Sequence, residues 1–346
     1  MLLKKITILI FICFSINAQE KKYILNTIAF YNVENLFDTV DDPNNYWDEI
    51  RTPNGKDKWT NEIYNKKIFN LSEVIPDIGY EYTNSAPAII GLCEIENRRV
   101  LVDLIRSGKM KKHNYGIIHF DSKDERGVDV ALLYDKKIFK PIRSKTYQVK
   151  LFDKNGLRDY TRDQLIVEGY FYNEKIYFIV NHWPTRRGGQ IASEPNRIKS
   201  GLLNKRIIDS IKEIDINSKI INMGDFNDDP KDKSVKLALK TSNSKTKIKL
   251  GQLYNPMEIL HKKGFGSYKY RGKWNMLDQF LISESLLRDG NLKFLKSGVF
   301  NKKYLINPTG KYKGYPFKSF AQGKFLNGYS DHLPIFLILA KEINSF

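Results

Sequence analysis

The stretch IINMGDFNDDP (residues 220–230) passes from an apolar, β-branched run straight into a group of acids and amides. In an extended chain residues i and i+2 point to the same side, so Asp225 and Asn227 would share one face while Phe226 turns into the core. Gly224 permits unusual backbone dihedrals or the close approach of a bound group. An ordinary polar turn has the same composition, so the remaining sequence must decide between a turn and a site.

Other strand-like segments carry polar side chains at or near their ends in the same way. They are TIAFYNV (27–33) with Asn32 and, just beyond it, Glu34; APAIIGLCE (86–94) with Glu94; KIYFIVNHW (175–183) with His182; NMLDQFLIS (275–283) with Asp278; and GYSDHLPIFLIL (328–339) with Asp331 and His332. Helix-like stretches at 60–75, 96–108 and 194–214 lie between them. Strands mixed with helices predict two sheet layers with helices outside, and polar strand ends that meet at one rim predict a site.

Residues 1–18 have the layout of a secretory signal, with two lysines, an apolar run of about ten residues and a small residue before a polar start. We expect cleavage after Ala18 and a secreted or periplasmic protein, and no later run is apolar for long enough to span a bilayer. Cys93 is then the only thiol, so no internal disulfide can form and stability must come from a core. No linker-like tract or repeat divides the chain, so we predict a single domain over 19–346.

Charge gives an indication of the partner. The formal net charge is +18, and removal of Lys4 and Lys5 with the leader leaves +16. Such a surface attracts polyanions, so nucleic acid is the substrate that we expect. We also expect the protein to be a monomer. A lysine-rich composition without any polyanionic partner is the alternative.

The polar residues of the predicted rim are mostly carboxylates and amides, joined by two histidines. They are Asn32, Glu34, Glu94, His182, Asp225, Asn227, Asp278, Asp331 and His332. Without a cysteine cluster, this set suits a hard cation such as Mg²⁺, Mn²⁺ or Ca²⁺ better than zinc. Histidines beside carboxylates can also transfer protons near neutral pH. A cation, an activating acid and histidines around an oxyanion are the requirements of phosphoester hydrolysis.

Seven motifs in order carry a family resemblance: FYNVENLFD, GLCEIEN, RGVDVALLY, VNHWP, NMGDFND, LDQFLIS and YSDHLP. Together they resemble the endonuclease/exonuclease/phosphatase superfamily of deoxyribonuclease I and exonuclease III type, over about residues 27 to 340. GDFN and SDH are short and weak signals individually, but all seven in order are a strong one. The resemblance implies an α/β (α+β) fold, a four-layer sandwich of two packed mixed β-sheets flanked by helices.

The resemblance also implies roles for particular residues. Glu94 would be the principal metal ligand, with help from Asn32, Asp331 and Glu34. Asp225 would activate the attacking water, and Asn227 would hold the phosphate or the metal. Asp278 would orient His332, and His182 would be the second histidine at the scissile phosphate. Arg126, Arg186 and Arg187 are the predicted phosphate contacts, since guanidinium groups match phosphate oxygens in pairs.

Several residues have structural alternatives. Asn32 and Glu34 could cap a loop, and a lone His182 could be a hydrogen-bonded core histidine. His113, His119 and His261 have no acidic partners in the predicted site, so they are assigned to structural or surface positions. The loop 305–332 alternates lysines with aromatic residues, which suits either stacked bases or a cover over one end of the sandwich.

The function predicted from the sequence is therefore a secreted nuclease that depends on a divalent metal and hydrolyses phosphodiester bonds of DNA or RNA. A phosphatase or a phospholipase of sphingomyelinase type, from the same superfamily, is the first alternative. A catalytically inactive polyanion-binding protein is the second, although every expected catalytic position is filled.

Overall fold

The computed structural model describes residues 21–43, 45–288 and 290–343, and the predicted signal segment 1–18 lies outside them. Elements are numbered along the chain. Within the described residues the first sheet has six strands in the order β15 (Leu292–Val299), β18 (Ile335–Ile343), β1 (Lys22–Leu36), β2 (Ile89–Ile95), β4 (Asp129–Asp135) and β3 (Tyr115–His119). The second sheet has the order β11 (Leu253–Tyr254), β14 (Asp278–Ser283), β10 (Lys219–Asp225), β9 (Glu174–His182), β8 (Gln164–Phe171) and β5 (Phe139–Tyr147).

Short hairpins and helices complete the described part of the chain. The hairpins are β6 (Leu151–Phe152) with β7 (Arg158–Asp159), β12 (Tyr268–Tyr270) with β13 (Lys273–Asn275), and β16 (Phe320–Ala321) with β17 (Lys324–Phe325). The α-helices are α1 (Tyr46–Glu49), α2 (Asn61–Val74), α3 (Tyr80–Thr83), α4 (Arg98–Arg106), α5 (Gln190–Ile214) and α6 (Pro256–Lys262). In the described ranges, no helix combines the length and the hydropathy that crossing a bilayer requires.

Alternation along the strands explains why the two sheets pack face to face. In β1, Ile28 and Phe30 point into a core that they share with residues of the second sheet such as Phe178 and Met223. Their neighbours Ala29 and Tyr31 point the other way, towards the apolar faces of α2 and α4. The period of two in side-chain direction therefore gives each sheet one face for the other sheet and one for helices.

The outer face of the second sheet is covered by α5. Ile207, Ile208 and Ile211 of this helix pack on Ile179 and Ile220 of the sheet. The order of layers is thus helices, first sheet, second sheet, helix, and the predicted four-layer sandwich of two mixed sheets is confirmed.

Two parallel strand pairs bring the predicted polar ends to one rim. In the first sheet β1 and β2 run parallel, with Asn32 opposite Cys93, and α2 lies in the connection. In the second sheet β9 and β10 run parallel, with His182 opposite Asp225, and α5 makes the crossover. Because parallel strands end at the same edge, each sheet contributes two adjacent polar termini to the rim.

Candidate active site

The two sheets are joined at the rim by a hydrogen bond between predicted site residues. Asn32 Nδ2 donates to Asp225 Oδ2 at 3.0 Å, and both residues are buried. Asp225 Oδ1 accepts from the backbone N–H of Asn227 at 2.9 Å, so both carboxylate oxygens are fixed. Burial and the nearby Asp278 raise the pKa of Asp225 to about 6, within reach of a proton acceptor that works near neutral pH.

His332 is held by a buried acid, as the resemblance implied. Its Nδ1 lies 2.6 Å from Asp278 Oδ2, and its Nε2 faces Asp225 Oδ2 at 3.9 Å. Burial lowers the pKa of His332, but Asp278 and Asp225 outweigh it and hold the pKa well above its usual value. The ring of Tyr268 packs beside the imidazole, with 4.8 Å between ring centroids. His332 is therefore oriented to present a proton at Nε2.

His182 has the opposite electrostatic environment. Its Nε2 lies 3.8 Å from Glu94 Oε1 and 3.7 Å from Asp225 Oδ2, so it joins the two carboxylates across the sheets. Burial, followed by Arg162 and Arg126, lowers the pKa of His182 well below its usual value. The surroundings thus favour the neutral imidazole at His182, on one side of Asp225, and the protonated imidazole at His332, on the other.

Glu94, near the end of β2, is a carboxylate that the first sheet contributes to the rim. Its Oε2 accepts the backbone N–H of Asn35 at 2.8 Å, while its Oε1 lies 3.7 Å from Arg126 Nη2. Burial raises the pKa of Glu94, but Arg126 and His332 lower it more, so the net shift is downward. The carboxylate stays ionised and keeps Oε1 directed towards the rim.

Glu34 is the predicted metal ligand that the structure places elsewhere. Its Oε2 accepts from Ser319 N at 2.6 Å and Ser319 Oγ at 3.0 Å, and its Oε1 accepts from Phe320 N at 3.3 Å. Burial and the neighbouring Asp331 raise the pKa of Glu34 to about 7. This carboxylate is thus engaged by the 317–320 segment and does not line the cavity that contains the other acids.

The rim residues surround an open cavity of about 560 Å³. Predicted site residues on its wall are Glu94, His182, Arg186, Asp225, Asn227, Asp331 and His332. Asn32 and Asp278 lie behind this wall, through their bonds to Asp225 and His332. Gly188, Gly189 and Gln190, at the start of α5, complete one side.

The three predicted phosphate-binding arginines have different environments. Arg126 lies beside Glu94 with about a third of its side chain exposed. Arg186 contacts the cavity, but its guanidinium is neutralised by Asp229 at 3.3 Å and Asp232 at 3.1 Å and donates to Asn227 O at 2.7 Å. Arg187 is exposed and does not line the cavity.

The donor set fits a hard divalent cation. Glu94 Oε1 and the carboxylate of Asp331 accept no hydrogen bond from the residues that the structure describes, and Asp331 lies near enough to Glu94 for their charges to interact. Asp225 also belongs to two sets of potential ligands whose atoms lie within 4.8 Å of each other, one with Cys93 and His182 and one with Asp278 and His332. Unsatisfied carboxylate oxygens at a buried rim are a typical magnesium or manganese environment.

Arg162 and Asp124 are site-supporting residues that sequence analysis missed. Arg162 is buried, pairs with Asp124 at 3.0 Å and donates to the backbone carbonyls of His182 and Trp183. The segment YTRDQL carries no motif, so no sequence signal could have identified it. His119 and His261 have acidic neighbours outside the predicted site, since His119 Nε2 lies 3.2 Å from Asp129 and His261 Nε2 lies 3.6 Å from Asp229.

The aromatic residues of the loop 305–332 are mostly used in packing. Phe320 meets Trp59 edge to face at 5.9 Å between centroids, and Phe317 packs on Tyr329 at 6.3 Å. The hydroxyl of Tyr315 accepts from Gly272 N at 2.6 Å, whereas Tyr312 remains exposed. These contacts favour the covering role for Phe317 and Phe320.

The chain resembles known proteins in its family motifs and in its fold. Residues 27–341 match the family model described as Endonuclease/Exonuclease/phosphatase family. A search of curated protein sequences gave no significant match.

Solved structures with the same fold come from bacteria and animals. An endonuclease/exonuclease/phosphatase family protein from Bacteroides thetaiotaomicron superposes with a TM-score of 0.55 at 13% identity, covering 94% of this chain and 98% of that one. Humanized D. rerio TDP2 gives 0.54 at 15% identity, covering 91% and 98%. D. rerio TDP2 complexed with a single-strand DNA product gives 0.52 at 15% identity, with the same two coverages of 91% and 98%. At these identities the superpositions establish the shared fold.

Proposed function

The chain belongs to the endonuclease/exonuclease/phosphatase family, and from this premise we propose that it is a divalent-metal-dependent nuclease that hydrolyses phosphodiester bonds in DNA or RNA. Membership supports a phosphodiester-hydrolase activity at the level of the superfamily. Metal dependence, the nucleic-acid substrate and export to the periplasm or medium are the parts that we add.

The arrangement around Asp225 is the observation that carries the proposal. One carboxylate, fixed through both oxygens, stands between a histidine whose pKa is raised and a histidine whose pKa is lowered. An acceptor for the proton of water, a protonated donor and a neutral donor thus face one cavity. Such groups can activate water and stabilise a phosphoryl group during hydrolysis of a phosphodiester.

Each residue then has a part in the reaction. Asp225 orients the attacking water and accepts its proton as the water oxygen bonds to phosphorus. His332, oriented by Asp278, and His182 donate hydrogen bonds to the phosphoryl oxygens as negative charge grows on them. The bond from phosphorus to the leaving oxygen breaks on the side opposite the water. Asn227 contacts the same phosphate through its side-chain amide, one N–H of which is anchored to Trp183 O at 3.0 Å.

Glu94 and Asp331 would hold the cation, and Asn32 would support the site from behind the wall through its hydrogen bond to Asp225. When bound, the cation would supply positive charge that neutralises the phosphate and stabilises the leaving oxygen. Arg126, whose Nη2 lies 3.7 Å from Glu94 Oε1, adds a further positive charge beside Glu94.

Nucleic acid is the substrate class favoured by charge and by a structural relative. The chain has a formal net charge of +18, which attracts a polyanion over long range. The D. rerio TDP2 structure of the same fold contains a single-strand DNA product. Both observations support a polynucleotide more than an isolated small phosphate ester.

The decisive experiment is a cleavage assay on supercoiled plasmid and on a structured RNA. The purified protein (residues 19–346) would be tested with Mg²⁺ or Mn²⁺, with EDTA, and as the variants Glu94→Gln and His332→Ala. His113→Ala, remote from the cavity, is the matched control for a lost imidazole. We expect cleavage that EDTA abolishes and that Glu94→Gln and His332→Ala each lower at least about a hundredfold.

Other results would contradict the proposal in distinct ways. Intact nucleic acids together with hydrolysis of a phosphomonoester or a phospholipid would indicate a phosphatase or lipase of the same fold. Tight binding to nucleic acid without hydrolysis of any phosphoester would indicate an inactive binding protein.

A further inference from the structure

Most arginines around the catalytic rim are already paired with acids. Arg162 pairs with Asp124 at 3.0 Å, Arg197 with Asp228 at 2.7 Å, and Arg186 with Asp232 at 3.1 Å. Their charges are neutralised within the protein, and their guanidinium groups maintain the loops. They offer little to a second anionic group of the substrate.

Arg51 is different. It follows α1, is partly buried, and its guanidinium carbon lies 4.4 Å above the ring centroid of Phe37. Among the residues that the structure describes, no acceptor forms a hydrogen bond with its guanidinium and no carboxylate lies within ion-pair distance, although the charges of Asp57 and Glu94 act on it from farther away. A guanidinium that is partly withdrawn from water and lacks an anion is prepared to bind one.

Arg51 lines a second cavity of about 310 Å³. The basic residues of this Arg51 cavity are Arg51, Lys67 and Lys318, and its acids are Asp57 and Glu34. The Glu34 carboxylate already accepts three hydrogen bonds from Ser319 and Phe320, and the Lys67 ammonium donates to Glu34 O and Ser319 Oγ, so both charges are engaged within the wall. Arg51 and Lys318 then stand against the single charge of Asp57, which leaves a positive balance at the cavity wall.

The Arg51 cavity and the catalytic cavity share a wall. Asn35 lines the Arg51 cavity, and its backbone N–H donates to Glu94 Oε2 at 2.8 Å on the catalytic side. Glu34 and Asn35 hold this position with φ angles of +54° and +51°, a conformation that non-glycine residues adopt only under strong constraint. A ligand group in the Arg51 cavity would thus lie next to the residue that is predicted to hold the cation.

We propose that the Arg51 cavity binds the phosphate that neighbours the scissile phosphate on the same strand. The inference rests on the proposed nuclease function and narrows its substrate to molecules with two or more phosphates in sequence. The guanidinium fork of Arg51 can bind two phosphate oxygens, and Lys318 adds charge from the other wall. Since such contacts are made to the backbone, they position the strand without reading its bases.

The neighbouring phosphate can come from two sources, an internal phosphodiester or a terminal phosphomonoester. Five substrates separate them: bis(p-nitrophenyl) phosphate and TpT, which lack a second phosphate; pTpT and TpTp, which carry a terminal one; and TpTpT, which carries an internal one. Initial rates with Mg²⁺ give kcat and KM for the wild type, for Arg51→Gln and for Lys318→Met. Arg206→Gln, exposed on α5 and remote from both cavities, is the matched arginine control.

We expect a second phosphate to lower KM about tenfold in the wild type, the effect of one charge-assisted hydrogen-bonded pair. Arg51→Gln should remove this advantage and Lys318→Met should reduce it, while hydrolysis of bis(p-nitrophenyl) phosphate stays within about twofold. Arg206→Gln should retain the full advantage. An advantage for pTpT or TpTp alone assigns the cavity to terminal phosphates, and an advantage for TpTpT assigns it to internal ones.

Two results would overturn the inference while leaving the nuclease intact: equal KM values with and without a second phosphate, or an advantage that survives in Arg51→Gln. Loss of all hydrolysis in the wild type would refute the proposed function instead. In that case fluorescence polarisation in EDTA, with labelled oligothymidine and the wild type, Arg51→Gln and Arg206→Gln, still tests the cavity. Equal affinities of the wild type and Arg51→Gln for the oligonucleotide would refute it.

Discussion

Four residues at the catalytic rim and its wall have positive φ angles without being glycine: Glu34 (+54°), Asn35 (+51°), Glu94 (+63°) and Asn227 (+50°). This conformation is unfavourable for a residue with a Cβ, and for glutamate more than for asparagine. It persists where surrounding contacts fix it, as the Asn35–Glu94 and Asp225–Asn227 hydrogen bonds do here. Of these four, Glu94 and Asn227 line the catalytic cavity, while described residues away from it, such as Asn84 and Tyr172, also have positive φ angles.

The pair of Asp278 and His332 gives the sharpest prediction for a single residue. Asp278→Asn keeps the shape of the side chain but removes the charge that orients the imidazole at 2.6 Å. We expect kcat to fall by about 10²- to 10⁴-fold with little change in KM. Asp278 is a main cause that raises the His332 pKa, so this pKa should be lower in Asp278→Asn. As the pH increases, the rate of the variant should therefore begin to decline at a lower pH than the rate of the wild type.

Steady-state kinetics between pH 5 and 9 would check both parts of this prediction, with Asp209→Asn, a surface partner of Lys205, as the control. An unchanged alkaline limb in Asp278→Asn would show that His332 does not act as the protonated group.

Helix α5 is attached to the second sheet by buried amides as well as by isoleucines. Asn204 Nδ2 donates to Gln164 Oε1 at 3.0 Å and Asn181 Oδ1 at 2.9 Å, and Asn222 Nδ2 donates to Asn204 Oδ1 at 2.7 Å. Asn181 precedes His182 on β9, so this cluster connects α5 to the strand that carries a predicted catalytic histidine. The helix thus supports the rim from behind.

Removal of the central amide should weaken this attachment. Asn204→Ala leaves buried polar groups of Gln164 and Asn222 without their partner, so we expect the free energy of unfolding to fall by about 1–3 kcal/mol. Urea denaturation followed by circular dichroism measures the change. Asn65→Ala, on an exposed position of α2, should change stability by less than about 0.5 kcal/mol. Equal stability of the two variants would contradict a structural role for the amide cluster.

Over the whole molecule, the charges divide into two populations. The acids of the rim are mostly buried, while the chain carries a net charge of +18 and many of the described lysines are exposed. The proposed catalytic cavity is therefore an acidic centre in a chain that is basic overall. This distribution would attract a polyanion to the surface and leave the proposed cation to neutralise the scissile phosphate.

This distribution predicts how ionic strength affects binding. The affinity of the protein for a single-stranded oligonucleotide in EDTA should fall at least about tenfold between 50 and 200 mM salt, because bound counterions are released on association. Fluorescence polarisation over a salt series measures the slope of log K against log salt. Hydrolysis of bis(p-nitrophenyl) phosphate should change little over the same range. A flat salt dependence for the oligonucleotide would argue against a polyanionic substrate.

The strand ends and the two sheet layers with helices outside could be predicted from the sequence because they depend on local patterns, and the four-layer sandwich was implied by the family resemblance of the seven motifs. Alternation along β1 and β10 sets which side chains enter the core, and the short GDFN and SDH motifs lie where strands end or begin. The structure brings Asn32, Glu94, His182, Asp225, Asp278 and His332 together at one rim.

Other features depended on contacts between residues that are far apart in the chain. Glu34 is held by Ser319, 285 positions away, and Arg186 is neutralised by acids on the loop after β10. Arg51, by contrast, keeps an unpaired charge because no acid comes within ion-pair distance among the described residues. The sequence specified which groups the site could use, because residue type and local period are written in it. Only the tertiary structure decided which charges remain free for substrate, because neutralisation depends on distance in space.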